Sequence, residues 1–231
     1  MKRIYRIVTV EAVEGGFQVA LDGKPLRTPA RAPLVLPQRA LIDGVAAEWD
    51  AQAGTIVPHG MPLMQFVSTA IDRVRPQRQR VAAEVAQYAA TDLICYRAHS
   101  PVELVARQLR VWQPLVDWAG MRFGAPLAVF TGVMPGPQPL GALQALQVAI
   151  EGLGDLELTA LQAVTGACGS LVIALALMEG RVDADQAWAA SQLDETYQIE
   201  KWGEDAEAAS RHRALLQDIR NAARFLELSR S

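Results

Sequence analysis

Six carboxylates and one lysine crowd into the seventeen residues SQLDETYQIEKWGEDAE, from Ser191 to Glu207, for a local net charge of −5. Acids this dense can supply a general acid and base, ligands for a metal ion, or the charged rim of a contact with another protein. Acid–base work needs a carboxyl with a perturbed pKa, whereas acids on an exposed helix titrate normally. Metal binding by Glu195 and Glu200 needs ligands from a second helix, and the chain has no other acidic helix with an E-x-x-H pattern. These two glutamates are five residues apart, about 140° around a helix, so they do not form one paired site. Read as a helix, the stretch opens a face with Glu195 and Tyr197 that continues through Ile199 and Trp202, with Asp194, Glu200 and Glu204 around it. Two aromatics within a ring of acids suit recognition of a partner protein. The alternative is an ordinary amphipathic helix with its aromatics in the core and its acids in water.

Other catalytic chemistry leaves little trace. His59, His99 and His212 form no HxH or HExxH spacing and read as surface or structural residues. Cys95 and Cys168 stand alone, without a CxxC partner, as expected of buried thiols in a reducing compartment. The glycine-bearing TGACGS at 165–170 lacks the lysine of a phosphate loop. Arg73, Arg75, Arg78 and Arg80 cluster without interleaved aromatics for base stacking, so nucleic-acid binding is not expected. The reading is of no catalytic residue, no metal, no cofactor and no small-molecule substrate; the alternative is a small-molecule enzyme using carboxylates of the 194–207 segment.

The elements that must carry these residues change character along the chain. RIYRIVTVE, GFQVAL, KPLRT and APLVLP read as β structure, with Asp22-Gly23 as a hairpin turn and prolines 25, 29, 33 and 37 placing the later segments at sheet edges or in extended connections. From Gln38 the period becomes helical, with Leu41, Val45, Ala46 and Trp49 on one side, and a second short helix spans Leu63 to Val74. Beyond Pro76 the pattern is helical almost throughout. Helices are expected over 78–88, from a Ser100-Pro101 cap to Phe123, and over 140–153, 156–164, 170–178, 184–201 and 205–228, with a four-proline connection at 126–139. Asp183 and Gln186 stand at capping-box spacing. The expected fold is α+β: a small sheet-plus-helix domain over 1–76, then an orthogonal, mainly α-helical bundle domain over 77–231.

The run from Leu158 to Met178 carries no charge and is long enough to span a bilayer. Its polar residues and Gly166 and Gly169 favour a broken helix inside a folded core, so membrane insertion is not expected. A net charge of −3 conceals asymmetry, since 155–207 holds eleven acids against two bases.

GFQVALDGKPLRTPARAPLVLP at 16–37, VAAEWDAQ at 45–52, MPLMQFVSTAIDRV at 61–74, YAATDLICYRA at 88–98, GSLVIALALMEG at 169–180 and LDETYQIEKWGEDAEA at 193–208 together resemble the assembly chaperones that bind the free alpha subunit of the F-type ATP synthase. The resemblance covers nearly the whole chain. It implies no catalysis, no cofactor, and a mechanism in which the chaperone covers the beta-facing surface of an unassembled alpha subunit until the beta subunit replaces it. It directs attention to Trp49, Glu195, Glu200 and Trp202 as partner-binding residues, although Trp49 also fits a core position. Because the chain starts at its first strand and has nineteen arginines to three lysines, a bacterial cytoplasm is expected, or the mitochondrial matrix if the chain is a processed form.

Overall fold

In a computed structural model describing residues 2–132, 136–203 and 205–231, the alternating segments VTVEAV and GFQVAL form strands β1 (Val8–Val13) and β2 (Gly16–Leu21). They pair antiparallel, with Val8 opposite Leu21 and Val13 opposite Gly16. Asp22 and Gly23, both at positive φ, turn the chain into β3 (Lys24–Pro25), as a tight hairpin requires. KPLRT contributes only the two residues of β3, and APLVLP runs as an extended connection, one of the two placements its prolines allow. From Leu26 to Leu36 the described residues pair through isolated bridges such as Phe17 to Leu36 and Arg27 to Pro33, because each proline removes a ladder donor.

By contact density the chain divides into two units. The first comprises the chain through Arg78, with Gly154–Ala160 and Arg224–Ser231. Here α1 (Arg39–Asp50) buries Leu41, Ile42, Val45 and Trp49, and α2 (Pro62–Thr69) buries Leu63, Met64 and Val67. The backbone then continues through a π turn (Ala70–Val74) and a 3-10 turn (Arg75–Gln77) into α3 (Arg78–Gln87), so Pro76 sits at the start of a tight turn and does not end the helical path. Near the carboxy terminus Phe225 is fully buried and stacks on Phe66 with ring centroids 4.8 Å apart.

The second unit comprises Gln79–Leu153 and Leu161–Ala223. Its helices are α4 (Val102–Phe123), α5 (Leu140–Glu151), the later part of α6 (Asp155–Cys168), α7 (Leu171–Met178), α8 (Ala184–Ser191), α9 (Leu193–Trp202) and most of α10 (Ala206–Ser229). Every residue of α7 is buried. The uncharged run is thus broken at Gly169, whose φ of 63° ends α6, and Ser170 caps α7 by accepting from the Ile173 amide at 3.1 Å. Among the described residues no helix is long and apolar enough to cross a membrane.

Three further expectations need correction or completion. Ser100 does not cap α4; Pro101 occupies the N-cap position without a side-chain hydrogen bond. The helix expected over 184–201 is two helices, interrupted at Gln192. Side-chain donors take carbonyls at the end of α8: Ser191 Oγ donates to the Trp188 oxygen at 2.9 Å and Trp112 Nε1 to the Ala190 oxygen at 2.8 Å. A two-residue parallel pair, β4 (Tyr96–Arg97) with β5 (Phe130–Thr131), occurs where no strand was expected. The capping box of α8 is present, with Asp183 and Gln186 each accepting from the other's backbone amide. Pro135 and Glu204 lie outside the described residues.

Candidate functional site

Helix α9 carries two stripes, and they are not those expected. Leu193 and Tyr197 are buried, and Glu200, seven residues after Leu193, continues their line. Glu195, Ile199 and Trp202 form the other stripe; Trp202 is 78% exposed. Tyr197 and Trp202 therefore do not share a surface. The first is a core residue at 5% exposure, and the second is the last residue of the helix and exposed.

The inner stripe is held by α4. Arg107 grips Glu200 with two parallel bonds, Nη1 to Oε1 at 2.8 Å and Nη2 to Oε2 at 2.6 Å. The same guanidinium lies 5.2 Å from the Tyr197 ring centre, with the Lys201 ammonium 5.3 Å from that centre. One residue along α4, the buried Gln108 donates to Asp194 Oδ1 at 2.8 Å and accepts from the Ala98 amide at 2.8 Å. Its backbone oxygen accepts from the buried Arg97 at 2.9 Å. The hydrogen bond from Arg107 holds the Glu200 carboxyl below the usual range, so Glu200 is a poor general base. On the outer stripe, Glu195 lies 3.4 Å from His212 Nε2 on α10.

Trp49 is 9% exposed, deep in the first unit. The Tyr5 ring meets it edge-on at 5.7 Å, and the Tyr5 hydroxyl donates to the Trp49 backbone oxygen at 2.6 Å. Its neighbours in the EWD triplet also have structural partners. Glu48 accepts from the Leu63 and Met64 amides at 2.8 and 2.9 Å, capping α2 from another helix, while Asp50 pairs with Arg3 at 3.3 Å. Burial raises the Glu48 pKa against the pull of those two amides.

The second unit has a deeper counterpart. Asp92 is fully buried and accepts from the Ile94 amide at 3.2 Å, the Val172 amide at 2.9 Å and the Ser170 hydroxyl, at the amino terminus of α7. Burial outweighs these bonds and pushes its pKa up to about 6. Sequence reasoning singled out neither Glu48 nor Asp92. For Glu48 a signal existed: α2 begins Met61-Pro62, with no Ser, Thr, Asp or Asn at its N-cap, so its free amides had to be satisfied from elsewhere.

Burial pushes both Cys95 and Cys168 up to about 12, which keeps these thiols protonated and unreactive. Among the described residues no group of three or more His, Cys, Asp or Glu side chains converges as metal ligands do. The arrangement is one of charge-locked helices with an exposed tryptophan at the end of α9.

Residues 2–120 match the sequence model of a family described as ATP12 chaperone protein. Over 232 residues the chain is 22% identical to "Protein atp12, mitochondrial" of Schizosaccharomyces pombe, covering 95% of this chain and 79% of that protein. The crystal structure of Atp12 from Paracoccus denitrificans is similar at a TM-score of 0.95 and 41% identity, over 99% of this chain and 98% of that one. A chaperone candidate from Agrobacterium tumefaciens matches at a TM-score of 0.93 and 45% identity, over 98% and 85% of the two chains.

Proposed function

This chain belongs to the ATP12 chaperone protein family, and from that premise we propose that it binds the unassembled alpha subunit of the F-type ATP synthase, shielding its beta-facing interface until the beta subunit takes its place. The likeness to Atp12 of Paracoccus denitrificans, which spans almost the whole of both chains, is the observation that carries this reading. A nucleotide-binding subunit made before its neighbours exposes an apolar interface, and such patches associate wrongly when left open. A chaperone that must later be displaced needs a partly polar contact of moderate size. The protein acts without catalysis or a cofactor, in the bacterial cytoplasm or the mitochondrial matrix.

We assign the outer stripe of α9 to that contact, with Trp202 as its apolar anchor and Glu195 as its charge. Glu200 acts through the helix it fixes, and Trp49 through the fold of the first unit. Purification of the tagged chain from its native host is expected to yield free alpha subunit as the chief partner. Recovery of the finished synthase, or of no alpha subunit, would overturn the reading.

A narrower measurement tests the assignment within α9. Trp202→Ala is expected to weaken capture of purified alpha subunit while thermal unfolding stays within roughly 0.5 kcal/mol of the parent, as for most surface changes, and Glu195→Gln, which keeps the side chain beside His212 but removes its charge, to weaken capture with little loss of stability. Glu200→Lys places a cation against Arg107 and is expected to loosen α9 as well. Normal binding by the first two variants would make the outer stripe a solvated face only.

A further inference from the structure

Beside the inner stripe of α9 lies an open groove of about 580 Å³ whose charge is opposite to that of the acidic segment forming one wall. Its apolar floor is built from Val111 of α4, Trp188 and Ala190 of α8 and Leu193 of α9. Three charged residues line it: Arg107, Arg110 and Glu200. Glu200 is neutralised by its two bonds to Arg107. Arg110, one helical turn further along α4, is exposed and has no hydrogen bond or ion pair among the described residues. One positive charge is left uncompensated above an apolar floor.

We infer that this groove binds a segment of the partner polypeptide in which a carboxylate lies next to an apolar side chain. The apolar side chain covers Val111 and Leu193, and the carboxylate pairs with Arg110 in the two-pronged geometry that a guanidinium favours. The pair Arg107–Glu200 sets the edge of the groove and limits the width of what enters. Charge complementarity selects this occupant: a basic segment would meet Arg110 unpaired and find Glu200 already taken, while a wholly apolar one would strip water from Arg110 without replacing it. The inference rests on the assembly-chaperone reading and adds to it the chemistry of the segment recognised.

The test uses the full chain and the purified alpha subunit of the host's own synthase, with affinity measured by calorimetry. Arg110→Glu reverses the free charge, and Ala189→Trp fills the groove from an exposed position on its rim. Both are expected to bind about tenfold more weakly or worse with unchanged thermal unfolding, and Arg110→Lys to fall between them and the parent, because it retains the charge but loses the two-pronged geometry. If the parent binds and both disruptive variants bind within about twofold of it, the groove inference is wrong while the chaperone reading stands. If the parent fails to bind alpha subunit, the chaperone reading itself falls and the groove inference with it. Self-association of the parent that Arg110→Glu abolishes, with alpha binding unaffected, assigns the groove to a second copy and also overturns the inference.

Discussion

Trp49→Ala is expected to lose about 3–5 kcal/mol, the usual cost of truncating a buried tryptophan and a large share of the about 5–15 kcal/mol that holds a domain folded. The indole fills space between α1 and the segment carrying Tyr5, and its loss also removes the edge-on contact with that ring. The damage should spread. Tyr5 is tied to the Trp49 backbone, and Glu48, the preceding residue, caps α2, so a shift of α1 disturbs two attachments at once. Denaturant titration of Trp49→Ala beside Trp49→Phe checks this, with the phenylalanine variant recovering part of the lost stability because it refills most of the cavity. A Trp49→Ala chain that unfolds like the parent but no longer holds alpha subunit would show that Trp49 is a contact and not a core residue.

Asp92→Ala should also be costly, and its cost should depend on pH. The substitution leaves the buried Ile94 and Val172 amides without acceptors, at about 1–3 kcal/mol each, and is offset in part by removing a desolvated charge. A net loss of about 2–4 kcal/mol is expected at pH 7. In the folded chain Asp92 holds its proton up to about pH 6, whereas in the unfolded chain it releases it near the ordinary carboxylate value of 3.8. Between these values the folded state binds the extra proton, so the stability due to this group is full below the unfolded value and falls as pH rises through about 6. Alanine does not titrate. The deficit of the variant should therefore be larger at pH 4 than at pH 7 by about 2 kcal/mol, which parallel titrations at the two pH values would measure. Equal deficits at both would mean that Asp92 is ionised throughout and that its amide partners outweigh its burial.

Much of the architecture was legible from local pattern. The alternation in VTVEAV and GFQVAL, the Asp22-Gly23 turn, the helical period from Leu41 to Trp49, the glycine break at 169 and the capping box at Asp183 all involve residues close in sequence, and local sterics and hydrogen bonding decide them. The α+β class followed from the change of period. Prolines 25, 29, 33 and 37 mark the later segments as sheet edges or extended connections, and beyond Pro25 they leave isolated bridges in place of a wider sheet.

Within α9, spacing puts Glu195, Ile199 and Trp202 on one stripe, while Tyr197, two residues from Glu195 and so about 200° around the helix, falls on another. A helical period relates residues to one another around their own axis; it does not say which stripe meets a neighbouring helix. Packing against α4 decided that, burying Tyr197 and leaving Trp202 in water. Nor does local sequence reveal which acid is already neutralised. Glu200 is matched by Arg107, 93 residues away, and the amides of α7 by Asp92, 80 residues from Val172. Sequence by itself thus determined the elements and the density of charge, while the tertiary structure decided which charges remain open to a partner, because electrostatic and capping partners are chosen by proximity in space.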